Sequence, residues 1–496
     1  MKLINSFFCF VLLLFVHQNL LGKILEVGPG KLYPTPTAAV NDVQPGDTIL
    51  IFPNTYTGGY FISNLHGIEN KHIYFMGTNV ETVVFKGNAQ SFHFSDVSYI
   101  HIENISITGQ TGNGMNIDDG GTYSTPTHHM MVKNCRFYDM GAQGNNDMLK
   151  MSGVNDFLIS GCSFLNGATG GSGIDMVGCH EGIITGNFFE NMGSNSIQAK
   201  GGTQFITISS NFFKNGGQRS LNLGGSTGLE FFRPIDAPFE AADLDVFANV
   251  FTGSWAPIAY VGSIRVKVVN NTIINPQNWV IRILQETVDP SRFPPCGNNT
   301  FVNNIVYYSG SLSRHVNIGP NTAAQTFTFS NNLWYNHENP SVSTPQLPVT
   351  ETNGLIGFNP LFNDESISDY SLREGSPAID AGVLTNFIKD YYCNVVPQGM
   401  TTDIGAFEFE SSISDVFNAE LKNRFYVSPN PFHSCLTIHN IFPEQGKIII
   451  RDIEGKLVYT NEVFSQQEIK TDLSHLRPGL YFIQNGTLFT PVLKSH

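Results

Sequence analysis

The chain has 496 residues and a formal net charge of −14, and only 14% of its residues are charged, against about a quarter in an ordinary globular protein. This acidic balance excludes a nucleic-acid-binding protein, which would carry an excess or a cluster of Lys and Arg. Met1-Lys2 and a short apolar run predict a secretory signal peptide over residues 1–22. The run is too short to span a membrane, and we predict no membrane span after it. We therefore expect a secreted or cell-surface protein.

A short motif recurs through the middle of the chain: a strand-like segment, then Asn or Cys, one residue, and an apolar residue. Successive copies lie 22 to 38 residues apart, and their marker residues are Asn104, Cys135, Cys162, Asn187, Asn211, Asn249, Asn271, Asn304 and Asn332. A shortest step of 22 residues with variable insertions predicts an all-β fold, a right-handed parallel β-helix of about ten coils. We expect the marker Asn residues to tolerate left-handed turns and to hydrogen-bond from coil to coil.

Both ends of this region have features of their own. Residues 38–62 predict a capping helix and the first coil, because the exposed end of a solenoid needs a cover. We assign residues 23–410 to the β-helix and residues 411–424 to a linker. Alternating strands separated by turn residues then predict a small β-sandwich over residues 425–496.

The C-terminal segment contains the motifs YVSPNP, DIEGKLVY and DLSHLRPGLYFIQ, in that order. With them it resembles the C-terminal sorting domain of the type IX secretion system. The resemblance implies recognition by that secretion machinery, followed by surface attachment or release. It also implies that the segment has no catalytic role.

Counting from the markers predicts a row of outward side chains, one from each coil. Eleven residues after a marker stand Gln198, Asn222, Tyr260 and Arg282, whereas positions ten and twelve are apolar. Because side chains alternate along a strand, position eleven faces outward. Two earlier coils with longer loops add Lys150 and Asp175 to this row.

Position thirteen, which also faces outward, holds Lys200, Gly224, Gly262 and Leu284. The two glycines would let a ligand approach the sheet. Arg219 lies at a strand start, and Arg233 lies in the long loop that follows, where functional residues are common. We predict that substrate is bound by Lys150, Asp175, Gln198, Asn222 and Arg233.

These residue types suit β-elimination on an acidic sugar. An Arg would neutralise the uronate carboxylate and acidify the C5 proton, a base would remove that proton, and an acid would assist departure of O4. We predict Lys200 as the base and either Arg219 or Arg282 as the carboxylate clamp. Tyr260, two coils or roughly 10 Å from Lys200, is the candidate acid.

The β-helix and the segment IQAKGG, which contains Lys200, together resemble polysaccharide lyase family 6, which includes chondroitinase B and alginate lyases. The resemblance implies a lysine base at Lys200, an arginine one coil later, and acidic calcium ligands five and seven residues before the lysine. This chain has Gly224 at the arginine position, and Asn195 and Gly193 at the calcium-ligand positions. Calcium is thus the cofactor that the resemblance implies, but its acidic ligands are not found and no metal site is predicted.

Two other functions stay open. A β-helix glycoside hydrolase would need clustered carboxylates, for which Asp118, Asp119 and Asp175 are candidates. A surface adhesin would bind glycans without cleaving them and would expose aromatic residues along its outward face. The predicted row contains only one aromatic residue, Tyr260, which favours an enzyme that cleaves a uronic-acid-containing polysaccharide.

Overall fold

The computed structural model describes residues 22–409 and, nearer the C-terminus, residues 426–428, 435–439, 447–453, 455–462, 468–474, 476–477, 479–485 and 488–494. The predicted linker and all of the predicted signal peptide but Gly22 lie outside the described residues. Among the helices of the described part, none is long and apolar enough to cross a membrane.

Strands from successive turns of the chain stack in parallel into three sheets, and the predicted parallel β-helix is thereby confirmed. The fourteen-stranded sheet consists of Ile24–Val27, Thr48–Ile51, Ile73–Gly77, Ser98–Glu103, Thr127–Lys133, Val154–Ser160, His180–Thr185, Thr203–Ser209, Ala241–Ala242, Asp245–Phe247, Ser263–Ile264, Lys267–Val269, Thr300–Val302 and Thr328–Ser330. The twelve-stranded sheet consists of Asn54–Thr57, Val83–Lys86, Ser106–Thr108, Arg136–Tyr138, Ser163–Leu165, Phe188–Glu190, Phe212–Lys214, Val250–Thr252, Thr272–Ile274, Ile305–Tyr308, Leu333–Asn336 and Leu355–Ile356.

The third sheet has ten strands and carries the predicted site. It consists of Tyr60–Ser63, Phe92–Ser95, Met115–Asp118, Leu149–Ser152, Ser172–Val177, Asn195–Lys200, Arg219–Gly224, Ala256–Val261, Trp279–Leu284 and Arg314–Ile318. Neighbouring strands of this sheet pair in register, so side chains at equivalent positions form rows that run from coil to coil.

A short helix, Pro36–Val40, lies near the start of the solenoid. Thr35 caps it, since the Thr35 hydroxyl accepts a hydrogen bond from the amide of Ala38 at 3.4 Å. Ala39 is buried in the main core, so the helix covers the first coils as the sequence predicts. The described residues also include the 3-10 helices Leu229–Phe231, Ala324–Thr326, Pro340–Val342 and Glu365–Ile367.

The abundant Phe residues serve the stacking of coils. Phe137, Phe164, Phe189, Phe213 and Phe251 occupy one inward row, and neighbouring rings stack with centroids 4.7 to 5.0 Å apart. All five are fully buried. Each coil therefore buries its aromatic ring only against the next coil, which is why a single coil could not fold alone.

The later marker Asn residues form a buried hydrogen-bond ladder. Each side-chain amide donates to the side-chain carbonyl of the next marker at 3.0 to 3.1 Å, through Asn187, Asn211, Asn249, Asn271, Asn304 and Asn332. The predicted coil-to-coil bonds are confirmed for these six. The predicted left-handed turn is wrong for all markers but Asn104, because the residue before the marker adopts it, as Ser210 does with φ 54°.

The C-terminal region contains antiparallel strands. Tyr426–Ser428, Cys435–His439 and Glu468–Asp472 form one sheet, and Leu457–Glu462, Lys447–Asp452, Gly479–Asn485 and Leu488–Lys494 form the other. Residues from both sheets, including Ile438, Ile450 and Ile483, share one buried core, as predicted for a small β-sandwich. A further antiparallel pair, Phe362–Asp364 with Asp369–Leu372, follows the last coil of the solenoid.

Candidate active site

The outward face of the ten-stranded sheet carries an aligned row of side chains, which we call the central row. Its members are Phe61, His93, Asn116, Lys150, Asp175, Gln198, Asn222, Ala259, Arg282 and Asn317. Lys150, Asp175, Gln198, Asn222 and Arg282 therefore stand where the sequence places them. His93 and Asn116 extend the polar row by two coils that marker counting did not reach.

Tyr260 is not a member of the central row. It pairs with Leu223 and Ile283, is fully buried, and donates its hydroxyl to the carbonyl of Thr300 at 3.0 Å. Ala259 takes the row position, because the connection after marker Asn249 is one residue shorter than in the coils on either side. The prediction of Tyr260 as the catalytic acid is therefore wrong.

The same shift moves the residues at position thirteen. Val261, rather than Gly262, pairs with Gly224 and Leu284. Gly224 follows Leu223, the partner of Ala199, so it does lie beside Lys200. Its φ of 114° and the close approach of the Val261 carbonyl show that the backbone there requires glycine, whatever binds outside.

At the middle of the row, two lysines meet one buried carboxylate in what we call the lysine–aspartate cluster: Asp147, Lys150, Asp175 and Lys200. Lys150 Nζ donates a hydrogen bond to Asp175 Oδ2 and lies 3.7 Å from Asp147 Oδ2. Lys200 Nζ lies 3.4 Å from the same Asp175 Oδ2. Asp175 is fully buried, and its Oδ1 has no hydrogen-bond partner in the described part of the chain. Both ammonium groups thus compete for one carboxylate oxygen.

Burial and charge set the pKa values of Asp147 and Lys150. Burial raises the pKa of Asp147 to about 6, and the nearby Asp175 adds to this rise, although Lys150 opposes it. Burial alone would lower the pKa of Lys150, but the charges of Asp175 and Asp147 outweigh it, so the pKa of Lys150 is raised. Lys150 is therefore the permanent counter-ion of Asp175.

Lys200 lies at the end of its strand, with 13% of its side chain exposed, and a loop is fastened beside it. A Cβ at Gly225 would lie 3.1 Å from carbon atoms of the Lys200 side chain. The buried Glu240 accepts hydrogen bonds from the amide of Gly201 at 2.9 Å, from the amide and hydroxyl of Thr227, and from another loop hydroxyl. The long loop after Gly224 is thus held against the residue that follows Lys200.

The two candidate carboxylate clamps differ in their partners. Arg219 donates to Asn222 at 2.9 Å and to Glu286 at 2.8 Å, and Asn222 is almost fully buried beneath it. Arg282 donates from Nε to Asn317 at 3.1 Å, and no other described residue accepts from its guanidinium. Burial and the neighbouring Arg219 lower the pKa of Arg282, against the effect of Glu286. Arg282 is the cation with the fewer partners.

Arg233 and Gln198 occupy different surroundings. Arg233 forms a two-point ion pair with the buried Asp119, at 2.5 and 3.0 Å, and this pair raises the pKa of Arg233. Its guanidinium therefore anchors the long loop rather than facing the central row unpaired. Gln198 is half-buried in the row and accepts a hydrogen bond from Asn195 at 3.4 Å.

Two features of this face were missed by the sequence analysis. An open cavity of about 680 Å³ at the strand starts is lined by residues that include Trp255, Trp279 and Arg282. Two coils before Lys150, His93 Nε2 lies 2.5 Å from Asp118 Oδ2 in a half-exposed pair. The sequence offered no local signal for the tryptophans: Trp255 directly precedes its strand and Trp279 begins the strand of the next coil, so both stand before the positions counted from the markers.

The residues at the implied calcium positions do not fit a cation. Asn195 uses its side-chain amide to donate to Ser172 and Gln198, and Gly193 has no side chain. Within the described residues, no group of three or more His, Cys, Asp or Glu is arranged to hold a metal. We derive no chemical step through calcium.

Comparison with known proteins identifies the C-terminal region first. Residues 426–487 match the family model of the secretion system C-terminal sorting domain. The predicted sorting domain is confirmed. It supports export to the cell surface or beyond, whereas the signal peptide stays a prediction. No curated protein sequence matches the chain.

Solved structures resemble the solenoid. They include the pectate lyase Pel9A, with 16% identity and a TM-score of 0.46 over 75% of this chain and 90% of that one. A mannuronic acid specific polysaccharide family 6 lyase from human gut microbiota has 13% identity and a TM-score of 0.39, over 62% and 84%. The GH136 lacto-N-biosidase from Eubacterium ramulus has 12% identity and a TM-score of 0.43, over 68% of each chain. The predicted resemblance to polysaccharide lyases, family 6 among them, is found here again.

Proposed function

We propose that this exported protein is a polysaccharide lyase that cleaves a uronic-acid-containing polysaccharide by β-elimination, with Lys200 as the base. The observation that carries the proposal is the pair of ammonium groups around Asp175 Oδ2. When Lys200 loses its proton, Asp175 still keeps Lys150 as its counter-ion. A neutral amine at Lys200 therefore leaves no buried charge unpaired, which is the main cost of deprotonating a lysine in an ion pair.

The elimination balances with this chain's residues. The lone pair of Lys200 Nζ takes the C5 proton, the C5–H electrons form the C4–C5 double bond, and the bond from C4 to O4 breaks. The resulting Lys200 ammonium is the donor at hand for the departing O4. Lys200 is then neutral again and ready for the next turnover.

The clamp for the reacting sugar is Arg219. Its strand pairs directly with that of Lys200, and its guanidinium reaches back over Asn222 in the central row. Glu286, which shares Arg219, has about a third of its side chain exposed, so a substrate carboxylate can replace it. Arg282 stands three strands from Lys200, about 14 Å at the usual strand spacing, which is too far for the same sugar ring.

The test is an assay on alginate, chondroitin, pectin and heparin that follows ultraviolet absorbance of the unsaturated product. We expect one of these polymers to give product, and Lys200→Ala to lower the rate by at least about 100-fold, because general-base catalysis is worth that much. Lys200→Arg is the matched control, since it keeps the cation beside Asp175 but cannot act as a base near neutral pH, and it should be equally inactive. Full activity in either variant would rule out Lys200 as the base.

A glycoside hydrolase is the second candidate, and one observation favours it. Asp147, whose pKa is raised to about 6 by burial, lies near the same Lys150 ammonium group as Asp175, and glycosidases use a carboxylic acid together with a carboxylate. However, the side chains of Asp147 and Asp175 are only 3% and 1% exposed, so neither reaches a sugar in this conformation. New reducing ends without unsaturated product would establish hydrolysis, and binding without either signal would establish an adhesin.

A further inference from the structure

We infer that the cavity beside Arg282 is a separate subsite for an acidic sugar ring, with Trp255 as the stacking surface and Arg282 as the carboxylate ligand. The inference rests on the proposed function for the identity of the polymer as a polyuronate. It adds a binding site that lies away from the reacting sugar.

The cavity has the size and position of a ligand site. Its volume of about 680 Å³ falls within the range of small-molecule sites, about 300–1,000 Å³. It opens at the starts of the strands Arg219–Gly224, Ala256–Val261 and Trp279–Leu284, one side of the central row. Polar side chains line it beside the two tryptophans, among them Gln218 and Gln277. A sugar, with its hydroxyl groups and apolar ring faces, suits such a lining.

Trp255 offers a free aromatic face. The residue is 47% exposed, which is unusual for the largest apolar residue type. The rings of Trp255 and Trp279 are nearly perpendicular, with centroids 6.1 Å apart and planes at 83°. The face of Trp279 is covered by the Arg282 guanidinium at 4.7 Å. The exposed part of the Trp255 ring is therefore available to the polarised C–H groups of a sugar ring.

Arg282 supplies the charge that selects an acidic ring. It is held in place by Asn317 and by stacking on Trp279, yet its two terminal nitrogens have no acceptor among the described residues. The nearby Arg219 already shares its charge with Glu286. A positive charge therefore remains at the cavity wall, and the planar guanidinium fork matches a carboxylate.

Tryptophan fluorescence can report on this cavity directly. The chain has three Trp residues, and Trp334 is fully buried in the core, so ligand-induced changes arise from Trp255 and Trp279. The full-length Lys200→Ala protein would be titrated with oligosaccharides of the same four polymers, so that no turnover occurs. Oligogalacturonate and its methyl ester form a matched pair that differs only in the carboxylate.

We expect an acidic oligosaccharide to change the emission, and Trp255→Ala in the same background to weaken its binding about tenfold or more, measured by calorimetry. Arg282→Gln should weaken acidic binding to the level of the neutral ester and leave ester binding unchanged. The control is Phe358→Ala, which removes a comparably exposed ring elsewhere, 55% against 47%, and should not alter binding. Melting temperatures would verify that each variant is folded.

The outcomes separate this inference from the proposed function. Unchanged affinity in folded Trp255→Ala, equal binding of acid and ester, or no emission change with any of the four polymers would each overturn the inference. If the wild-type chain forms product, and neither Trp255→Ala nor Arg282→Gln changes the rate of product formation at limiting substrate, the subsite is overturned and the proposed lyase activity stands. Trp255-dependent binding without any unsaturated product would overturn the lyase and uphold the subsite.

Discussion

Asp147 shows how burial and its neighbours set the pKa of a carboxyl group. Asp175 meets two ammonium groups, whereas Asp147 contacts only one, Lys150, at 3.7 Å. Asp147 also accepts a hydrogen bond from the amide of Ser172 at 2.8 Å, but burial dominates and raises its pKa to about 6. Because the folded state keeps the proton of Asp147 up to such a pH, the stability of the fold depends on pH.

We predict that Asp147 makes the fold less stable as the pH rises from 4 to 7. The native state binds this proton more tightly than the unfolded chain, in which an Asp titrates near 4. The contribution to stability is therefore complete below about pH 4 and is lost as the pH rises through about 6. The loss should be on the order of 2–3 kcal/mol in the free energy of unfolding, since each pKa unit corresponds to 1.36 kcal/mol.

Urea denaturation of the wild-type chain and Asp147→Asn at several pH values would measure this. Asn keeps the acceptor for Ser172 but does not titrate, so the variant should lose this part of the pH dependence. Asp390 and Asp403, whose pKa values burial raises to about 6 and about 7, act equally in both chains and cancel in the difference. Parallel stability curves for the two chains would contradict the prediction.

Individual site residues were predictable only as far as the coil length was regular. Gln198, Asn222 and Arg282 each stand eleven residues after a marker, and all three lie in the central row. One missing residue after Asn249 turns Tyr260 into the core, because side chains alternate along a strand. In the sequence, the shorter connection is visible only as the segment Ile258, Ala259, Tyr260. This segment is compatible with an outward Ala259 and equally with an outward Tyr260.

At the scale of the coil, the Asn ladder fixes one turn of the solenoid to the next. Asn249 donates to Asn271 and to the carbonyls of Ile208 and Phe247, and it accepts from the amides of Asn211. Except for the bond to Phe247, these hydrogen bonds are buried, so water cannot replace a lost partner there. The ladder therefore contributes to stability mainly because breaking it leaves several groups unsatisfied.

We predict that Asn249→Ala destabilises the β-helix by at least about 3 kcal/mol, since each unsatisfied buried group costs about 1–3 kcal/mol. Asn166→Gly is the matched control, because Asn166 is exposed, has φ 56° and bonds only to neighbouring turn residues. Glycine accepts that backbone conformation, so the control should change the free energy of unfolding by less than about 1 kcal/mol. Thermal denaturation would measure both variants. An equal loss in the free energy of unfolding would show that the stabilisation by the Asn ladder does not depend on its burial.

The coil repeat was predictable because its physical cause is local. Every coil needs an inward apolar residue and a residue able to turn, and both recur in the sequence. The cavity was not predictable in this way, since it depends on side chains from four coils that meet only after stacking. Trp255 and Trp279 stand before the positions that marker counting examined, and nothing local distinguishes an exposed Trp from a core residue.

At the scale of the whole molecule, the main core of the solenoid is separate from the core of the C-terminal region. The solenoid core runs from Leu25 to Trp334, whereas the C-terminal core gathers Leu436, Ile450, Val492 and their neighbours. The central row and the cavity lie entirely on the solenoid. The described residues of the C-terminal region, which matches a secretion sorting domain, contribute to neither.

We predict that removing residues 426–496 abolishes export but preserves the β-helix and its substrate binding, because the two cores share no residue. Tagged full-length and truncated chains would be expressed in the native host and located by cell fractionation and surface protease treatment. The full-length chain should reach the cell surface or medium, and the truncated chain should stay inside while keeping the melting transition of the solenoid. A matched chain carrying Thr460→Ala, at an exposed strand position of the same region, should still be exported. Export of the truncated chain would show that another signal suffices, and an unfolded truncated chain would show that the solenoid depends on the C-terminal core.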